Sequence, residues 1–277
     1  MTGPTDYRFE THAPVALYVE TGSGTIDVTA TDTAESRVEI TGRHADEVDV
    51  TLEGRDLRIV APRRRTGFLS EDSSLFVTVT VPTSSDLAVR TGSADLGVIG
   101  EIGDSHVKSG SGDVRLDVLA GPNSTETGSG DVEIEEVRIA ARIKCGSGDV
   151  TVRHAGSSMA VSTGSGDVQI GTSEGSAVIK TGSGDVRVVE AGGDLSLTTG
   201  SGDLQIDTAR RGKFSAKGAS GSVHVGIPAG TPIWTDISTV SDRIHNNVEG
   251  VGQPSEGADH VELWATTVSG DVILTQH

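Results

Sequence analysis

Seven aspartates stand 18 residues apart: Asp95, Asp113, Asp131, Asp149, Asp167, Asp185 and Asp203. Each sits in a short phrase, of which Ser109-Gly110-Ser111-Gly112-Asp113-Val114 is a full copy. Stacked in register, carboxylates this close repel each other unless a cation or hydrogen bonds compensate. A calcium ladder over Asp113, Asp131, Asp149, Asp167, Asp185 and Asp203 is one solution. The phrase shares glycines and an aliphatic residue with the calcium β-roll repeat, Gly-Gly-x-Gly-x-Asp-x-aliphatic-x. Gly110, Gly112 and Leu116 match it, but the aspartate does not. The calcium repeat wants Asp sixth, where Val114 stands; Asp113 is fifth and faces away from the buried pair. The favoured reading is structural: each Asp accepts backbone N–H bonds in its turn, helped by Ser111 and its counterparts.

Other constellations are weaker. Gly171-Thr172-Ser173-Glu174-Gly175 matches a nucleophile elbow, which needs a strand-turn-helix setting and a placed histidine. Here it falls in a repeat turn with no helix after it, so chance explains it. The histidines, His12, His44, His106, His154, His224, His245, His260 and His277, form no metal-ligand pair at helix spacing. His106 and His224 fall at outward-facing strand places. No Gly-Lys-Ser/Thr phosphate loop occurs. Cys145, the single cysteine, stands where the repeat has Thr or Ser. It reads as a small residue in a stacked ladder, and it excludes an intrachain disulfide. No catalytic residue, cofactor or metal site is expected. A polysaccharide-acting enzyme stays open as an alternative, because solenoid faces can host paired carboxylates.

The elements that carry these residues follow from the repeat. The second-position glycines are Gly92, Gly110, Gly128, Gly146, Gly164, Gly182 and Gly200. After each phrase comes an alternating run, such as Val114-Arg115-Leu116 or Val168-Gln169-Ile170. Apolar residues two apart predict half-buried strands. The unit divides into two nines. Gly156, Met159 and Val161 echo the first nine, as do Gly175, Ala177 and Ile179, and Gly193, Leu195 and Leu197. The echo is poor at Asn123 and Thr125. An extra residue near Asp207 shifts it to Gly212, Phe214 and Ala216, then Gly221, Val223 and Val225.

Two strands per 18 residues predict an all-β, elongated parallel β-solenoid of two-faced coils, about 4.8 Å apart. Right-handed winding is expected. A three-sided hexapeptide helix needs an aliphatic residue every six places. Lys108, Glu126, Lys144, Ser162, Lys180 and Thr198 oppose it.

Three stretches of one continuous domain are expected: an irregular β-rich part over 1–90, the regular solenoid over 91–225, and a C-terminal β cap over 226–277. Within the first, strands are predicted at Val15–Val19, Arg37–Ile40, Val48–Leu52, Leu57–Val60 and Leu75–Val81. Thr21 to Val28 is an early copy of the phrase without its Asp. Pro62 to Ser74 reads as a loop exposing Arg63, Arg64 and Arg65. In the cap, Thr239-Val240-Ser241-Asp242 is a worn copy and Thr267 to Val272 a good one. Trp234 and Trp264 are expected to pack the cap, a ligand platform being the lesser reading. Solenoid ends need such caps, because they expose strand edges.

Composition narrows the partners. Over 277 residues the net charge is −18, which argues against nucleic acid and anionic membranes. Cations or basic partners stay compatible, and so does self-association through faces or ends. Aromatics are 3%, which suits a thin interior of Val, Ile and Leu. Met1 to Thr11 carries Asp6, Arg8 and Glu10 and does not read as a secretory signal. No stretch is apolar for the length of a membrane span, so a cytoplasmic location is expected.

The repeated Thr-Gly-Ser-Gly-Asp-Val phrase, the entry through Val79-Thr80-Val81-Pro82, and the closing Thr267-Val268-Ser269-Gly270-Asp271-Val272 together resemble a bacterial family. It is the family of β-strand-repeat domains of unknown function labelled as adhesins. The resemblance spans nearly the whole chain. It implies a β-solenoid and an adhesive or scaffolding role, and it supplies no catalytic residues. The reading is therefore a non-enzymatic interaction or scaffold module that binds a protein or carbohydrate partner through a repeat face or a cap. Outward residues such as Arg115, Glu133, Thr151, Gln169, Arg187 and Gln205 would form that face. A calcium-stabilised surface adhesin domain is an alternative.

Overall fold

A computed structural model describes residues 5–62, 74–240, 243–248 and 259–277. The expected Arg63–Arg65 loop and the end of the worn phrase, Ser241-Asp242, lie outside the described residues. The chain divides into two compact units, Met1–Ile139 and Ala140–His277. Each is a β-solenoid.

The first unit opens with β1 (Thr5–Glu10), β2 (Ala16–Thr21), β3 (Gly24–Thr31) and β4 (Glu35–Gly42). A 3-10 turn precedes β5 (Asp49–Glu53) and β6 (Asp56–Val60). Next come β7 (Leu75–Pro82), β8 (Ser85–Thr91), the long β9 (Asp95–Ser109), β10 (Val114–Leu119), β11 (Asn123–Thr127) and β12 (Val132–Val137). One face stacks β12, β10, the first part of β9, β3 and β7 in parallel. The other stacks β11, the rest of β9, β8, β2 and β6. The 18-residue step becomes a vertical neighbour: Val114 lies between Leu96 and Val132, and Leu116 between Val98 and Ile134. The early phrase also forms a rung, with Ile26 on Leu96 and Val28 on Val98.

The off-period part closes this unit with antiparallel strands. β4 runs against β7, β1 against β4, and β5 against β6. The β5–β6 hairpin turns at Gly54, whose φ of 62° is a left-handed conformation that glycine adopts without steric cost.

In the second unit the strands run in pairs: β13 (Ala140–Cys145) and β14 (Val150–Ala155), β15 (Ser158–Thr163) and β16 (Val168–Ser173), β17 (Ala177–Thr181) and β18 (Val186–Ala191). Then come β19 (Leu195–Ser201), β20 (Leu204–Ala209), β21 (Gly212–Ser220), β22 (Val223–Ile227), β23 (Ile233–Thr239), β24 (Ile244–Asn247), β25 (Val261–Ser269) and β26 (Val272–Gln276). Val150, Val168, Val186, Leu204 and Val223 form one buried column. Met159, Ala177, Leu195 and Phe214 form another on the opposite face. Full burial of such a side chain stabilises by about 1.5–3 kcal/mol. The good terminal phrase lies on β25 and β26, which pair with β21 and β22. β23 and β24 then stack on β25 and β26, outside them, although they come earlier in the chain.

A third inward column adds to the two expected. Each first strand of a coil bends after its alternating pair and turns one more residue inward. Leu119 and Val137 do so in the first unit; Ala155, Ser173, Ala191 and Ala209 do so in the second. The fourth-position glycines are required by close approach between coils. A Cβ on Gly166 would lie 1.9 Å from the carbonyl oxygen of Gly148, and one on Gly184 would lie 2.0 Å from that of Gly166. The first-position residues brace the same turn. Gly166 N–H donates to Thr163 Oγ1 at 3.1 Å, and Gly184 N–H to Thr181 Oγ1 at 2.9 Å. Cys145 takes that place with its Sγ 3.0 Å from Gly148 O, and it is buried.

Candidate functional site

The aspartate ladder joins one coil to the next. Asp113 N–H donates to Asp95 Oδ1 at 2.9 Å, and Asp131 N–H to Asp113 Oδ1 at 3.0 Å. In the second unit Asp149 accepts from Asp167 N–H, Asp167 from Asp185, and Asp185 from Asp203, each at 2.8 Å. Asp203 accepts from Ser222 N–H at the same distance. The sequence predicts a bond within each turn; the geometry places it between turns. Asp86 and Asp194 repeat the device on the opposite faces, accepting from Asp104 and Lys213 N–H. Charge-assisted hydrogen bonds offset part of the like-charge repulsion. Among the described residues no group of three or more His, Cys, Asp or Glu is placed to hold a metal ion. Because these carboxylates accept backbone N–H bonds, melting temperature is expected to stay constant between chelator and millimolar calcium. Asp185→Ala should lower it measurably, and Asp185→Asn, which keeps an acceptor, should recover most of the loss. A large rise with calcium would overturn this account, because a ligand of the folded state alone stabilises that state.

Ser173 of the elbow-like motif is 1% exposed and points inward, its Oγ bonded to Gly175 O at 3.2 Å. It is a core residue of the third column. His106 and His224 are exposed on outward strand faces, as their places predict. His154 Nδ1 lies 2.5 Å from Thr172 Oγ1 on the next coil.

The outward rows are as regular as the core. In the second unit Thr151, Gln169, Arg187, Gln205 and His224 follow one another up one face. In the first unit the row Arg58, Tyr18, Ala88, His106, Ser124 crosses five strands. Ala88 is the small member between two rings, and the dip it leaves belongs to a groove of about 550 Å³. Asp86, Asp104 and Pro122 contribute to its rim. Arg58 lies over the Tyr18 ring at 4.8 Å, a cation–π contact. Tyr18 O–H donates to Glu20 Oε2 at 2.5 Å. That bond, with burial, holds the Tyr18 phenol above its ordinary pKa, against a smaller opposite pull from Arg90. Asp86 is fixed by an ion pair with Arg55.

The groove escapes sequence reasoning because its residues span 16 to 124 and meet only through the rung order β6, β2, β8, β9, β11. The available signal was Ala88 at an outward strand place, where a long polar residue is usual. The tryptophans also differ from expectation. They lie on outward faces of β23 and β25, with Trp234 52% exposed.

Stacked parallel coils with an 18-residue register make this a β-solenoid protein. The sequence matches the Toastrack DUF4097 family over residues 15–174 and again over 147–275, and the chain belongs to that family. No curated protein matches it. Among solved structures, a candidate lipid binding protein from Parabacteroides distasonis is 13% identical. The match covers 99% of this chain and 96% of that one, with a TM-score of 0.47. A candidate adhesin from Bacteroides fragilis is 13% identical over 99% and 98% of the two chains, with a TM-score of 0.38. One from Parabacteroides merdae is 14% identical over 99% and 94%, at 0.31. Among the described residues no helix is long and apolar enough to cross a membrane.

Proposed function

We propose that this chain is a non-enzymatic interaction module of the scaffold or adhesin-like kind, and that a partner docks across several rungs of an outer face. The observation that carries the reading is the groove over Ala88. It combines an apolar floor with a tyrosine, a histidine, an arginine and three carboxylates, all on strands. Concave sites with an apolar lining and a few placed polar groups are what ligands recognise. Rows repeating every rung suit an extended partner, which can make the same contact more than once.

The test uses the full chain as bait in the native cell, followed by binding measurements on the purified partner. Ala88→Arg fills the groove from an outward position. It should weaken binding about tenfold or more, a loss of roughly 1.4 kcal/mol, with melting unchanged. Val189→Arg, on an outer face of the second unit and outside every row named above, should leave binding intact. Equal affinity for wild type and Ala88→Arg would remove the groove from the account. Chemical conversion of the partner on incubation would replace a binding module with an enzyme.

A further inference from the structure

Trp234 and Trp264 are the only tryptophans of the chain. Their ring centroids are 5.2 Å apart and their planes are tilted by 58°. The β23–β25 register sets Trp234 beside Glu262 and Asp236 beside Trp264. The β21–β25 register adds Lys213 beside Glu262 and Ser215 beside Trp264. Indoles and carboxylates thus alternate like squares of a board. The row through Trp264 continues over Ser215, Ser196, Val178 and Ala160. Those four small side chains make a flat floor. From Trp264 to Ala160 it crosses four rung steps, about 19 Å.

This surface restricts its ligand. A half-exposed indole beside another offers a flat apolar area whose removal from water is favourable. A wholly apolar ligand would strip water from Asp236, Glu262, Lys213 and Ser215 and give nothing back. A simple cation would meet Lys213 and His260. Glu262 already pairs with both, at 3.6 Å and 3.2 Å. What fits is a neutral molecule with an apolar ring face and a rim of hydroxyls that both donate and accept.

We propose that the outer face of β21, β23 and β25 is a binding site for a neutral, extended oligosaccharide. One sugar ring stacks its C–H face on Trp234. Its hydroxyls donate to Asp236 and Glu262 and accept from Lys213 and the Ser215 hydroxyl. Further rings lie along the floor toward Ala160. The inference deepens the interaction-module reading, on a surface that does not use the groove over Ala88.

Both tryptophans are in the site, so intrinsic fluorescence reports on it directly. The full chain is titrated with cellohexaose, maltohexaose, chitohexaose and, separately, choline chloride. At least one hexasaccharide should give a saturable change in emission, confirmed by calorimetry, and choline should not. Trp234→Ala should weaken that sugar about tenfold or more, and Trp234→Phe less, with melting unchanged. Val178→Arg should weaken the hexasaccharide but not the corresponding disaccharide. Silence with all three hexasaccharides overturns the proposal, as does affinity unchanged in Trp234→Ala. A saturable choline signal reassigns the site to a cation. Sugar binding lost in Ala88→Arg but kept in Trp234→Ala would move the ligand to the groove. The interaction-module reading would then stand while this one falls.

Discussion

Deleting Thr163 to Lys180 shortens the second unit by one coil and leaves it folded. Ser162 then leads into Thr181, at the same point of the next coil. Val150 and Val152, which rest on Val168 and Ile170, meet Val186 and Val188 instead. Met159 and Val161 meet Leu195 and Leu197 in place of Ala177 and Ile179. The Asp149 carboxylate loses the N–H of Asp167 and gains that of Asp185. Every contact is replaced by one of the same kind, and the loss is a single coil with one of its two interfaces. In a stack where each unit touches only its neighbours, such a chain still melts in one transition. Its denaturant slope falls with the smaller surface exposed on unfolding. Deleting nine residues, Thr163 to Gly171, gives the opposite result. It removes most of β16 and keeps β17, so one face lacks a strand and the other does not. Circular dichroism and denaturant melts of both deletion variants decide the matter. Unfolding by the 18-residue deletion alongside tolerance of the shorter one would show that the coil is not the structural unit.

Val168→Asp should cost roughly 3–5 kcal/mol, because a carboxylate there would be buried between apolar rungs with no partner. Val168 is 1% exposed and lies between Val150 and Val186. Gln169, one residue along, is exposed between Thr151 and Arg187. Gln169→Asp should stay within about 0.5 kcal/mol of wild type. Urea midpoints of the two variants measure the contrast, and comparable losses would mean that the in–out alternation of this strand is misassigned.

The alternation was legible because Val, Leu and Ile repeat at two fixed places of the nine, and the structure buries both. Asn123 and Thr125, poor apolar echoes, are inward and buried as their places require, at 6% and 0% exposure. They are accommodated by hydrogen bonds, Asn123 Nδ2 to Ser105 Oγ at 2.8 Å and Thr125 Oγ1 to Asn123 Oδ1 at 3.2 Å. The third column was not legible. Leu119, Val137, Ala155, Ser173, Ala191 and Ala209 share a place but not a polarity, and a bend shifts them off the period of two. The Asp bonds were half legible: residue type and turn position give an acceptor, but its donor is 18 residues away. The groove was illegible, and the tryptophan face legible only as the lesser reading of its two indoles, for a different reason. A rung order that departs from chain order brings together residues whose spacing says nothing, as with Tyr18 and His106, or Trp234 and Trp264.

The crossing of β23 and β24 over β25 and β26 sets a schedule for folding. Elsewhere in the second unit each new coil finds its template already made, so growth can keep pace with synthesis. β23 and β24 cannot do this. The strands they rest on are synthesised after them, and until β25 has docked on β21, β23 has no neighbour in register. A nascent chain that has produced Asn247 holds these two strands in waiting. The outermost rung is therefore laid down after the one beneath it, as a late event that reverses the order of synthesis.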